Sequence, residues 1–414
     1  MPRKAGRKQE KPLIITVLGI AVVIGSVIWG FFTKEGQSES GGATNTPIII
    51  TSVVETGTSI AGLPGTITTY TFGQGFGAEK GFWQVYFTAP TGSNDSSTYV
   101  GGIDERLIAA INNVQSTLDI VAFEWNNPRL TQAVLDARER GVQVRMVVDD
   151  EYTIVDNEEA IADGVDSPFQ LILDAGIPVV NDDRGGLMHN KFMIMDGAYV
   201  WTGSMNYSMN CTYRNNNNMF VMRSQPAVAA YQAEFNEMFL DHVFASKRSA
   251  NNSANFTQDG INIQIYFSPE DDPVPALVDV VNNAQSSIRF MAFSFTLDEV
   301  GAAVLARSEA GVSVEGIFEV VGSETEDSEM TRLFCAGLPV FQDGNPARLH
   351  HKVFIIDEAI VVLGSFNFSD SAANNNDENM VIVHDPDLAA QFLAEYARLR
   401  SQAVAPSASD LTCP

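Results

Sequence analysis

The sequence predicts an α/β protein of two fused α/β/α sandwich halves, an internal duplication, behind an N-terminal transmembrane helix. Three observations predict it. The segment INNVQSTLDIVAFEW (Ile111 to Trp125) returns 170 residues later as VNNAQSSIRFMAFSF (Val281 to Phe295), the signature of a repeated unit. Each copy alternates strand and helix, which implies a largely parallel sheet covered by helices on both faces. Finally, PLIITVLGIAVVIGSVIWGFF (Pro12 to Phe32) carries no charge.

The N-terminal elements follow in order. Residues 1–11 form a basic tail holding Arg3, Lys4, Arg7, Lys8 and Lys11. Residues 12–32 give enough apolar helix to cross a hydrocarbon core of roughly 30 Å. The stretch runs through Trp29, Phe31 and Phe32 without a small-residue cleavage site, so the reading favours an uncleaved signal anchor over a signal peptide or a buried core helix. With the basic cluster inside, the protein is expected to be membrane-anchored and single-pass, its catalytic body outside the cytoplasm. Residues 33–79 are a linker and strand-rich lead-in, Gly- and Ser-rich at first, then β-branched around Ile49 to Val54 and Thr66 to Phe72. The glycines at 73, 75, 77 and 81 lack the strand–turn–helix setting of a phosphate loop.

Half one spans 80–245 and half two 261–400. In half one GIDERLIAAINNVQS reads as helix, LDIVAFEW as strand, LTQAVLDARERG as helix and VQVRMVVDD as strand. Gly141 and Gly311 stop the second helix of each copy before a β-branched run. The polar segment 246–260 joins the halves, and 401–414 is a tail.

The duplication extends into the residues that carry chemistry. Half one holds His189, Lys191 and Asp196 in HNKFMIMD, then Gly203, Ser204 and Asn206 in GSMN. Half two holds His350, Lys352 and Asp357 in HHKVFIID, then Gly364, Ser365 and Asn367 in GSFN. In H-x-K, strand alternation places His and Lys on one face, while FMIM and VFII read as buried strand. The doubled pattern resembles that of the phospholipase D superfamily, which implies a phosphodiester substrate, and phosphodiesters resist water because their charge repels nucleophiles and the alkoxide leaves poorly. Lys191 and Lys352, with Asn206 and Asn367, are suited to stabilise charge on the non-bridging oxygens. One imidazole can attack phosphorus while the other protonates the leaving oxygen and then activates water. Ser204 and Ser365 are expected to donate to the phosphate or to support the loop. His351 fills the variable slot and points to the other face; His242 and His384 read as structural or surface residues.

This doubled pattern, H-x-K-x4-D-x6-G-S-x-N, resembles the phospholipase D superfamily over residues 80–400. The resemblance implies that both motifs meet at a single site in a monomer that is its own pseudo-dimer. It also implies a covalent phosphohistidine, with Asp196 and Asp357 as supporting members of the catalytic motifs. No metal or other cofactor is expected, and there is no Cys/His cluster. In related enzymes an acidic residue after the motif fixes a histidine tautomer. Aligning RNNNNMFVM (Arg214 to Met222) with NNNDENMVIV (Asn374 to Val383) places Asn217 opposite Glu378, so only half two keeps that acid. Family precedent makes His189 the nucleophile and His350 the acid, which requires Glu378 to reach across the twofold.

The substrate expected is a membrane glycerophospholipid, hydrolysed at the headgroup to phosphatidic acid. The alternatives are a nucleic-acid phosphodiesterase, for which the N-x-E-N segment at Asn376 to Asn379 speaks, and phosphatidyl transfer of the cardiolipin synthase kind. A formal net charge of −26 lowers the case for binding nucleic acid by phosphate neutralisation. Asp149, Asp150 and Glu151 end a strand on the ligand edge of an open α/β sheet, and read either as contacts to a cationic headgroup or as a solvated cluster. Of the three cysteines, Cys211, Cys335 and Cys413, the odd count leaves at least one unpaired.

Overall fold

The computed structural model describes residues 65–246, 252–407, 411 and 413. The described residues all belong to one compact unit. In half one the elements run β1 (Thr68–Phe72), β2 (Gly75–Lys80), β3 (Trp83–Thr88), α1 (Ile103–Asn113), β4 (Thr117–Ala122), α2 (Pro128–Glu139) and β5 (Gln143–Val148). A π-helical turn (Asp150–Val155) then leads to α3 (Asp156–Ala162), α4 (Pro168–Asp174), β6 (Val179–Asn181), β7 (Phe192–Met195) and β8 (Tyr199–Gly203). The half closes with α5 (Met209–Tyr213), β9 (Asn215–Asn216), β10 (Asn218–Met222) and α6 (Gln225–Leu240).

Half two runs β11 (Ala254–Gln258), β12 (Ile261–Ser268), α7 (Pro273–Asn282), β13 (Ser287–Ala292), α8 (Asp298–Glu309), β14 (Ser313–Phe318), α9 (Glu329–Cys335) and β15 (Val340–Gln342). Then come β16 (Arg348–Leu349), β17 (Lys352–Ile356), β18 (Ile360–Gly364), α10 (Asp370–Asn374), β19 (Glu378–His384) and α11 (Pro386–Arg400). Within 246–260, read above as a connector, residues 254–258 are therefore an edge strand of the second sheet.

The sheets have the orders β1-β2-β3-β10-β8-β7-β4-β5-β6 and β11-β12-β19-β18-β17-β13-β14-β15. They are mixed rather than largely parallel. Only β4-β5-β6 and β13-β14-β15 are parallel. The His-Lys motifs open tight hairpins, β7–β8 and β17–β18, and a short turn can join only antiparallel strands.

Three cores sort the layers. Helices α1, α2 and α4 pack on the outer face of the first sheet, and α7, α8 and α9 on the outer face of the second. Between the sheets lies a shared core in which Tyr231, Phe235 and Met238 of α6 and Leu388, Phe392 and Tyr396 of α11 meet residues of both. Burial on two faces explains the unbroken apolar runs of β7, β10 and β17. Cys335 and Cys413 form a disulfide, tying the C-terminal segment to α9, and Cys211 is a buried free thiol.

The expected transmembrane helix requires correction. Among the described residues no helix is long and apolar enough to cross a membrane. The longest of them, α6, has 16 residues and buries Glu234, short of the ~20 apolar residues a span needs. Residues 12–32, on which the expectation rested, lie outside the described residues. Among the described residues the fold class is that of the two α/β halves, and the membrane-anchored, extracytoplasmic placement is dropped with the helix.

Candidate active site

The two motifs meet where the halves join. Strands β9 and β16 pair in parallel, Arg348 with Asn215 and Leu349 with Asn216, and a bridge links Met188 to Asp377 on the symmetry-related side. These pairings bring each half's Asn-rich segment beside the other half's histidine. Glu378 Oε2 lies 2.7 Å from His189 Nδ1, and Asn217 Oδ1 lies 2.9 Å from His350 Nδ1. Both histidines are buried, at 5% and 7% exposure, so each keeps a narrow opening to solvent.

Each half builds the same support. Lys191 Nζ donates to His189 O at 2.5 Å and Lys352 Nζ to His350 O at 2.9 Å. Each ammonium also lies over a phenylalanine, 4.8 Å from the Phe123 ring centre and 4.6 Å from that of Phe293. The same two rings meet His189 and His350 edge-on at 4.7 and 4.8 Å. Phe123 and Phe293 are a matched pair in the repeat, but a ring without a polar atom carries no chemical signal in the sequence.

Ser204 Oγ donates to Asn217 Oδ1 at 2.9 Å, and Ser365 Oγ donates to Glu378 Oε2 at 2.7 Å. The structure thus places both hydroxyls on the groups behind the histidines. Their glycines, Gly203 and Gly364, have φ of +142° and +139°, and a Cβ there would come within 2.4 Å of Asn218 O or 2.3 Å of Asn379 O. Only glycine permits that approach. Asn206 Nδ2 donates to Glu124 Oε2 at 3.1 Å. Two residues past each asparagine, Ser208 and Ser369 cap α5 and α10 by accepting from Cys211 N and Ala372 N.

Asp196 and Asp357 are not part of the cluster. They follow the far ends of β7 and β17, about 16 Å along a strand from the lysines, with φ of +53° and +52°. Asp196 accepts from Gln115 N, Ser116 N, Ser116 Oγ and Thr117 N, and Asp357 accepts from the matching Gln285, Ser286 and Ser287 groups. Burial raises both carboxyls, but these donors together hold them below the ordinary aspartate value. They staple the motif hairpin to the preceding α–β corner. His351 faces away from the cluster, held between Asn218 and Glu395 at 2.9 and 3.0 Å.

Asp149 is a buried acceptor, not a solvated acid. It takes Tyr152 N and Met188 N, the latter being the residue before His189. Its counterpart Glu319 takes Leu349 N, the residue before His350. The spacing of 170 between these acids, each ending a parallel strand, was the signal for this positioning pair. Asp149, Asp150 and Asp182 are the one acidic group among the described residues close enough to share a metal ion. Asp149 accepts from those two N–H groups, Asp182 Oδ1 accepts from Asp150 N, and Asp182 Oδ2 lies 3.3 Å from Arg184 Nε.

Charge follows from burial. Desolvation, then Lys191 and Lys352, push His189 well below the usual imidazole range, and His350 is pushed down in the same way. Burial lowers Lys191 to about 8 and also pushes Lys352 well below the usual ammonium range. Burial raises Glu378 to about 8 against the pull of Lys191. Donors from His189, Ser365 and Asn376 converge on it, a set that the ionised carboxylate accepts in full. An anion between the lysines would supply the missing negative charge and favour the charged lysines and the imidazolium.

A family described as "Cardiolipin synthase, PLD-like domain" matches residues 107–239 and 277–400. The chain is similar to the mitochondrial cardiolipin hydrolase of Xenopus tropicalis, 32% identical over 141 residues, 34% of this chain and 63% of that protein. It is also similar to a phospholipase D of Rickettsia bellii, 29% identical over 130 residues, 31% of this chain and 65% of that one. It thus spans somewhat less than two thirds of these curated relatives. The crystal structure of phosphatidylserine synthase from Haemophilus influenzae Rd KW20 covers 73% of this chain and 85% of its own, with a TM-score of 0.56 at 15% identity, a likeness of fold.

Proposed function

The chain belongs to the phospholipase D superfamily, and on that premise we propose that it is a phosphodiesterase hydrolysing a glycerophospholipid at its headgroup, through a phosphohistidine. The observation that carries the reading is the unequal backing of the two histidines: a carboxylate behind His189, an amide behind His350. Glu378 accepts the Nδ1 proton of His189, leaves Nε2 with its lone pair free, and stabilises the cation that forms as Nε2 bonds to phosphorus. Asn217 also fixes the tautomer of His350 but offers no counter-charge, so the His350 imidazolium gives up its proton more readily.

In the first step His189 Nε2 attacks phosphorus, the P–O bond to the headgroup breaks, and the alkoxide takes a proton from His350. In the second, His350 takes a proton from water, the resulting hydroxide displaces His189 from phosphorus, and phosphatidic acid leaves. Lys191, Lys352, Asn206 and Asn367 hold the non-bridging oxygens in both steps. Ser204 and Ser365 fix the backing groups, and Asp196 and Asp357 hold the motif hairpins. The names of the similar proteins favour a phospholipid substrate, as does the acidic composition.

The test incubates the full chain with mixed phospholipid vesicles and, separately, with single-stranded DNA and RNA, in EDTA, beside His189→Ala. Headgroup release absent from the variant is the expected result. Cleavage of nucleic acid without lipid turnover overturns the substrate assignment.

A further inference from the structure

The two halves differ most between β5 and α4. That connection runs 149–167, whereas its counterpart between β14 and α9 runs 319–328, nine residues shorter. The sequence carries the same step: repeats in register at 170 before the connection are in register at 161 after it, as His189 and His350 show. The extra residues form the π-helical turn and α3, for which half two has no counterpart in 319–328.

The insertion walls a cavity of about 1220 Å³, above the ~300–1,000 Å³ of ordinary small-ligand sites. Its apolar lining includes Trp125, Tyr152, Ile161, Val165, Leu171 and Met209. Ile161, Val165 and Leu171 are 46%, 58% and 50% exposed, apolar surface that a monomer ordinarily keeps dispersed. The inner end abuts the catalytic cluster. Tyr152 packs on Phe123 at 4.4 Å, and Phe123 meets His189. Glu124, also lining the cavity, accepts from Asn206, and its counterpart in half two is Ser294.

We infer that this groove is the subsite for an acyl chain of the phospholipid, an inference that rests on the phosphodiesterase reading above. Charge selects the occupant. The charged lining residues are Glu124, Asp156 and Asp166, with no Lys or Arg among those lining it. A polyanionic strand leaving the phosphate site along this path meets carboxylates throughout, while an apolar arm meets side chains that gain by being covered. The groove thus makes half one the lipid-binding side of a twofold site, and Glu124 bars a second phosphate close to the first.

The test measures kcat/KM of the full chain on monomeric diacylglycerophosphocholines of four to eight carbons per acyl chain. Each buried methylene is worth up to about fourfold, so kcat/KM rises steeply along the series. In Ile161→Asn/Leu171→Gln, both exposed positions, the ratio of eight-carbon to four-carbon substrate falls at least tenfold. Leu240→Gln, an exposed leucine at the end of α6, retains the wild-type ratio. A flat wild-type series, or a double variant with the wild-type slope, overturns the inference. If the wild type cleaves no lipid, the phospholipid-substrate reading fails by itself, and binding of dodecyl phosphate against butyl phosphate judges the groove separately. A preference for the longer chain that the double variant loses sustains the groove; equal binding of the two overturns it.

Discussion

His189 and His350 occupy equivalent places, over matched phenylalanines and beside matched lysines, yet one is backed by Glu378 and the other by Asn217. The difference teaches how a duplicated site divides labour. Every element that holds a phosphate is kept twice, because the phosphate's oxygens need donors from both sides. The group that sets histidine basicity is kept once, because nucleophile and acid need opposite tuning. A second asymmetry lies behind the motifs. The variable slot is His351 in half two, bonded to Glu395, and Asn190 in half one, bonded to Glu234 at 3.2 Å.

The comparison breaks first at the histidines. His189→Ala is expected to lower kcat at least ~10⁵-fold on every ester, since no second nucleophile stands in its place. His350→Ala should lose ~10²- to 10⁴-fold with an alkoxide leaving group. With bis(4-nitrophenyl) phosphate, whose leaving group needs no proton, His350→Ala should recover most of its first-step rate and accumulate an acid-labile phosphoenzyme. Equal losses in both variants on that substrate show that the roles are not divided.

Next in size is the backing pair. Glu378→Gln should lower kcat by ~10²- to 10⁴-fold, the scale seen when a carboxylate holding a catalytic histidine is made neutral. Asn217→Asp places a second carboxylate behind His350, raises its pKa and should slow the step that needs its proton by about tenfold. If the Asn217 variant suffers more than the Glu378 variant, the assignment is reversed.

A pH profile sharpens the same point. Glu378, raised to about 8 by burial, accepts the Nδ1 proton only when ionised, so kcat/KM should rise with pH through its titration. Lys191, lowered to about 8 by burial, stabilises phosphate only when protonated, and burial lowers Lys352 as well, so the rate falls as these lose their protons. The free-enzyme profile should therefore be a narrow bell. Bound phosphodiester raises the lysines, so the descending limb of kcat should lie at higher pH than that of kcat/KM. Coincident descending limbs refute this coupling.

The smallest effect concerns the aspartates. Asp196→Asn and Asp357→Asn each lose hydrogen bonds at an α–β corner and should cost about 1–3 kcal/mol of stability, read as a lower Tm, while folded enzyme keeps its kcat. A large kcat loss with unchanged Tm would return them to the reacting cluster.

By itself the sequence determined the duplication, the two α/β halves, the motif residues and the register that set Asn217 opposite Glu378, because these depend on local periodicity and on repeats that align one copy with the other. The expectations drawn from element alternation and composition failed over pairing. Hairpins made the sheets mixed, residues 254–258 became an edge strand, and Asp149 turned inward to hold Met188. Tertiary structure alone decided which carboxylate reaches which histidine, that Cys335 finds Cys413, and that the nine extra residues of half one wall a groove beside His189. Those contacts join residues far apart in the chain, among them a pair 189 positions apart. Their geometry follows from how two sheets pack around one shared core, and no window of sequence contains it.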